Sequence, residues 1–166
     1  MSEYNMRFHT PTINLFMSAP DFVSFCENAQ ACLSAELEDC SAQQNYFYPT
    51  ALLNGLLLHG VHYSSFRDLQ ESWNRRRERV SLDNVFIVMT DRDGFTEDLL
   101  PKLAKLPCRK LVFSHLPHPE YDFVLHVPGF EDQPFVGDLL DYRGITGKRC
   151  YSIFDFKKAL REMKRS

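Results

Sequence analysis

Apolar residues recur at Phe22, Cys26, Ala29, Leu33 and Leu37, spacings of three and four that place them on one face of a helix ending near Glu38. Ser18, Pro20 and Asp21 supply its start, a capping serine, a proline suited to the first turn and an acid three residues after the cap. Ahead of it, Thr10–Met17 is rich in strand formers and reads as a strand that passes into the helix. A second helical stripe, Phe66, Leu69, Trp73 and Val80, follows the capping pair Ser65 and Asp68 and predicts a helix from Phe66 to Arg79.

The other apolar runs lack this period. Val85–Met89 is five apolar residues without alternation, as in a strand covered on both faces. The latter half of Ala51–Tyr63, where Gly55 and Gly60 lower helix propensity, reads as a buried strand after a loop at Asp39–Tyr48. Lys110–Ser114 and Tyr121–Val127 predict two further strands. A helix capped by Asp98 accommodates Pro101 in its first turn and ends before Pro107, and Phe154–Lys164 reads as a basic amphipathic helix. Strands alternating with helices imply an α/β fold of three layers, a mostly parallel sheet with helices on both faces. A length of 166 residues suits a single domain over 1–166.

Composition narrows the class. The chain is 44% hydrophobic and 25% charged, and no stretch reaches the ~20 apolar residues of a membrane span. Met1–Thr10 lacks the features of a signal peptide, so a cytoplasmic location is expected. The net charge of −3 offers no broad attraction to nucleic acid. Cys26, Cys32, Cys40, Cys108 and Cys150 are odd in number with no Cys-x-x-Cys pair, which favours structural free thiols.

The candidate chemistry begins where the run at Val85–Met89 stops. Ligands of open α/β sheets bind beyond the carboxyl ends of strands, and Thr90-Asp91-Arg92-Asp93-Gly94 occupies such an end. On an extended segment Asp91 and Asp93 face one side and suit a hard divalent ion, magnesium or manganese, bridging to a diphosphate, with Arg92 pointing elsewhere. The same residues also spell a turn at Asp93-Gly94, with Asp91 bonding local amides.

Trp73, Asn74, Arg75 and Arg76, with Arg77 and Arg79 beyond them, offer guanidinium groups to phosphate beside a stacking ring, or form a solvated helical face with Glu71 and Glu78. Together with Arg92 they are the substrate-binding candidates. His62 is a candidate general base, although a regular strand would turn it away from His59; His115 and His118, in a proline loop, are weaker. Gly144–Arg149 is not a P-loop, because Tyr142 and Arg149 stand where that motif needs glycine and Ser or Thr.

Taken in order, "PTINLFM", "HGVHYSSF", "SWNRRRERV", "VFIVMTDRDG", "KLVFS" and "GKRCYSIFDF" resemble the bacterial domain-of-unknown-function family 1919, whose members are often labelled exopolysaccharide biosynthesis proteins. The most specific parts are Trp73-Asn74-Arg75-Arg76 and Met89–Gly94. The resemblance implies an α/β fold in a surface-glycan context and carries no catalytic residues. Family members usually begin with an extra strand and an Asn-Cys-x-Gly-Gly stretch before the part matched at Pro11. This chain has neither, which would make it a reduced or inactive version if that stretch lines the site.

The leading expectation is a transferase of cell-surface polysaccharide assembly that uses a nucleotide sugar or other phosphorylated donor. In it Asp91 and Asp93 hold the ion, Arg75 and Arg76 meet phosphate, and His62 is the base. The alternative is a noncatalytic accessory protein of the same pathway, a homo-oligomer or a partner of another pathway protein, with Trp73 and the arginines as its interface.

Overall fold

A computed structural model of the chain describes residues 10–139, 142–143, 148–149 and 154–155. The chain divides into two compact units, Met1–Leu82 and Asp83–Ser166.

In the first unit the expected strand at Thr10–Met17 is replaced by a turn. Asn14 takes a left-handed conformation, φ 64°, which an extended strand does not tolerate. Only Phe16 pairs, through an isolated antiparallel bridge to His59 with both N–H···O distances 2.9 Å. Helix α1, Ala19–Glu27, starts as its sequence predicts, Ser18 Oγ accepting the Asp21 N–H at 3.2 Å. The helical stripe then runs through a break. Asn28 leaves helical geometry while its side-chain amide donates to the Ser24 carbonyl oxygen, and α2, Ala29–Ser34, stops short of Glu38.

Strands β1 (Glu38–Asp39), β2 (Thr50–Leu53) and β3 (Leu56–His59) form an antiparallel sheet in that order. Asn54 and Gly55, at φ 51° and 81°, make the two-residue turn between β2 and β3, the left-handed pair that matches strand twist. Gly60 is needed for close approach, since a Cβ there would lie 3.0 Å from the Pro49 carbonyl oxygen. Helix α3, Phe66–Arg77, is capped by Ser65 Oγ, which accepts the Asp68 N–H at 3.2 Å. It buries Leu69 and Trp73 in a core with Phe25, Cys32, Leu37, Ala51, Leu53 and Leu58.

The second unit holds a parallel sheet of β4 (Phe86–Thr90), β5 (Arg109–Ser114) and β6 (Val124–His126), in that order. Helix α4, Leu99–Lys105, connects β4 to β5, begins after Asp98 and ends before Pro107 as expected. Leu111, Phe113, Val127 and Val136 form its buried core, with Phe86, Leu125, Phe130, Leu139 and Phe154 packed against them. Val88 is 41% exposed, so β4 is not the doubly covered strand its composition suggests. Tyr142–Arg143 (β7) and Lys148–Arg149 (β8) pair antiparallel. The helix expected at Phe154–Lys164 lies, beyond residues 154–155, outside the described residues.

The fold is therefore mixed helix and strand, with separate small sheets, and among the described residues pairing is parallel only in the second unit. The short connections account for the difference: a two-residue turn joins antiparallel strands, whereas α4 supplies the crossover a parallel pair needs. Among the described residues no helix is long and apolar enough to cross a membrane. Cys32, Cys40 and Cys108 are free thiols, and Cys150 lies outside the described residues.

Candidate functional site

Phe86–Thr90 is apolar until its last residue and pairs parallel with Arg109–Phe113, whose own apolar run gives way to Ser114 one residue later. Thr90 lies beside Phe113, and the Asp91 N–H continues the ladder to the Phe113 carbonyl oxygen at 3.0 Å. This register carries Asp91 to Ser114 and His115 at the carboxyl ends of the strands.

Asp91 is 6% exposed and its carboxylate accepts four hydrogen bonds. Oδ1 takes the Val136 N–H at 2.8 Å. Oδ2 takes the Ser114 hydroxyl at 3.0 Å, the His115 N–H at 2.7 Å and lies 2.5 Å from His115 Nδ1. Every other partner is a donor, which fits an ionised, acceptor-only carboxylate. A carboxylate acceptor at Asp91 calls for a donor at His115 Nδ1, the tautomer in which Nε2 is the ring's acceptor. A buried carboxylate thus orients a largely buried imidazole at the end of a parallel sheet, an arrangement that can take a proton from a bound hydroxyl.

Asp93 does not continue the extended line of β4 beyond Asp91. It sits at φ 58° followed by Gly94 at φ 83°, in an exposed turn closed by the Phe95 N–H to the Arg92 carbonyl oxygen at 3.1 Å. The extended segment that would align the two carboxylates is absent, and both oxygens of Asp91 are already taken. Among the described residues no three His, Cys, Asp or Glu side chains converge as a metal site. Arg92, between the two acids, holds its guanidinium 5.3 Å from the ring centre of Phe135. Nearby in sequence, His118 Nδ1 lies 3.6 Å from Glu120 and His126 Nε2 3.2 Å from Glu131. Backbone N–H groups of Glu131 itself and of Gly129 hold the Glu131 carboxyl below its ordinary range.

The remaining candidates belong to the first unit. Trp73 is 1% exposed, edge-on to Phe25 at 6.2 Å, so its ring is core rather than a stacking surface. Arg76 donates to the Ile13 carbonyl oxygen at 2.9 Å and the Tyr63 hydroxyl at 2.8 Å, tying α3 to the Asn14 turn. Arg77 donates to the Ala35 carbonyl oxygen and pairs with Glu36. Arg75 is exposed, 3.4 Å from Ser72 Oγ, and Asn74 is half-buried. His62 is exposed in the turn after β3. His59 is buried among the rings of Phe16, Tyr46 and Tyr48, and that burial pushes its imidazole below the ordinary value against the opposing charge of Asp21.

The family described as domain of unknown function (DUF1919) matches residues 1–161. The chain belongs to the DUF1919 family. The chain is also similar to an uncharacterized protein of Haemophilus influenzae, 35% identical over 159 residues, covering 95% of this chain and 76% of that one. In this DUF1919 chain His115, the weaker candidate by sequence, is the histidine that meets Asp91. Its signal was present: "LVFSH" and "FIVMTD" each place a polar group directly after an apolar run. What joins them is the parallel register, which neither run displays alone.

Proposed function

We propose that this DUF1919 protein is a transferase of cell-surface polysaccharide assembly that takes a sugar or other phosphorylated donor. The observation that supports it best is the Asp91–His115 pair at the carboxyl ends of adjacent parallel strands. His115 Nε2 takes the proton of an acceptor hydroxyl as that oxygen bonds to the donor carbon. The donor's carbon–oxygen bond to phosphate breaks, and the phosphate leaves with the electron pair. Asp91 holds the ring and offsets the charge it gains. Arg92, its guanidinium steadied over Phe135, meets the leaving phosphate. Asp93, exposed in the turn after β4, would hold magnesium or manganese, which would supply positive charge to the donor phosphates. A cytoplasmic location, where the donor is met, belongs to the same proposal.

The accessory reading with Trp73 as its anchor has less support, because the ring is enclosed by its own unit and an interface there would depend on Arg75. Thermal shift with a panel of nucleotide sugars, with and without manganese, tests the proposal. Stabilisation by at least one donor, lost in Arg92→Gln, is expected; no stabilisation by any of them overturns it.

A further inference from the structure

Ser41 to Thr50 reads SAQQNYFYPT, ten residues without a charge in a chain that is 25% charged. The roots of this loop are fixed. Asp39 Oδ1 accepts the Ser41 N–H at 2.9 Å, Ser41 Oγ accepts the Thr50 N–H at 3.1 Å, and the Pro49 carbonyl oxygen accepts the Gly60 N–H at 2.8 Å. Tyr46 stacks on Tyr48, centroids 5.1 Å apart and planes 10° apart, and meets the His59 ring edge-on at 5.0 Å. Above this fixed base the tip is open: Tyr46 is 48% exposed and Phe47 109%, flanked by the exposed amides of Gln43 and Asn45.

We propose that this loop is a glycan-binding platform, with Phe47 and Tyr46 supporting the C–H face of a sugar ring while Gln43 and Asn45 bond its hydroxyls. Aromatic faces take polarised C–H groups, and a carboxamide carries both donor and acceptor, as a sugar hydroxyl does. The occupant follows from what surrounds the rings. An anionic ligand would need the cations this loop lacks, and an apolar protein patch would be expected to extend beyond the rings, where amides stand instead. The ligand class is a neutral oligosaccharide. That it is the acceptor rests on the transferase reading; the binding itself does not.

Saturation-transfer NMR on the full chain, with neutral hexasaccharides of glucose and of N-acetylglucosamine as probes, tests the platform. The wild-type protein should saturate the ring C–H protons of at least one probe, and Phe47→Ser should weaken that binding fivefold or more with an unchanged melting temperature, because the side chain is fully exposed. No saturation by any probe, or equal saturation in Phe47→Ser, overturns the proposal. So does concentration-dependent self-association in ultracentrifugation that Phe47→Ser abolishes while sugar binding persists, since the loop would then be a protein contact. Binding that survives alongside absent sugar transfer removes only the acceptor assignment.

Discussion

Asp91 Oδ1 accepts the backbone N–H of Val136 at 2.8 Å, so one carboxylate at the end of β4 fastens a segment 45 residues further along the chain. The other oxygen of Asp91 holds Ser114 and His115. Asp91→Asn leaves a single acceptor oxygen and turns an amide N–H₂ toward buried donors. A loss of about 2–3 kcal/mol in urea unfolding is expected; an unchanged midpoint would show that these bonds do not support the second unit.

Asp93 should behave differently. Asparagine also tolerates the left-handed region, so Asp93→Asn changes stability by no more than about 0.5 kcal/mol, whereas Asp93→Val, with its branched Cβ at φ 58°, costs about 1–2 kcal/mol. The pair of urea curves checks whether backbone geometry or carboxylate chemistry dominates there.

In the first unit, Arg76 joins α3 to the Ile13 carbonyl oxygen and the Tyr63 hydroxyl. Arg76→Ala removes a charged donor from both and should cost about 1–3 kcal/mol, while Arg75→Ala, on the exposed face, stays within about 0.5 kcal/mol. Hydrogen exchange at residues 13–16 should accelerate in the first variant and not in the second.

His59 gives a pH dependence of known sign. Burial lowers its imidazole below the ordinary value, so on acidification the unfolded chain takes the proton first. Its stabilising contribution is present above the ordinary histidine range and is lost as pH falls through it toward the folded value. Melting temperature measured from pH 7.5 to 5.5 should therefore fall more steeply in the wild type than in His59→Gln; parallel curves would contradict the assignment.

Local chemistry was legible in the sequence where one short segment contains the whole cause. Ser18 with Asp21 and Ser65 with Asp68 start their helices as read, and the apolar runs at Phe86–Thr90 and Arg109–Ser114 are strands. Asn54-Gly55 is equally local, a two-residue turn signal between apolar runs. Thr10–Met17 misled because strand formers say nothing of Asn14 turning left-handed. The arginines of α3 suit phosphate ligands or a solvated face by sequence, yet the carbonyl oxygens that Arg76 and Arg77 meet come from Ile13 and Ala35, distant in sequence. Asp91 is a leading candidate by sequence and His115 a weaker one, because their meeting depends on pairing between strands, which no single segment encodes.

The most direct measurement follows release of the nucleotide leaving group by ³¹P NMR from a nucleotide-sugar panel with an oligosaccharide acceptor, for the wild type and for His115→Gln. The account predicts donor consumption by the wild type and a rate about a hundredfold lower in His115→Gln at equal melting temperature, the size of a lost general base. Equal consumption by the two folded proteins, or none by the wild type, would contradict it.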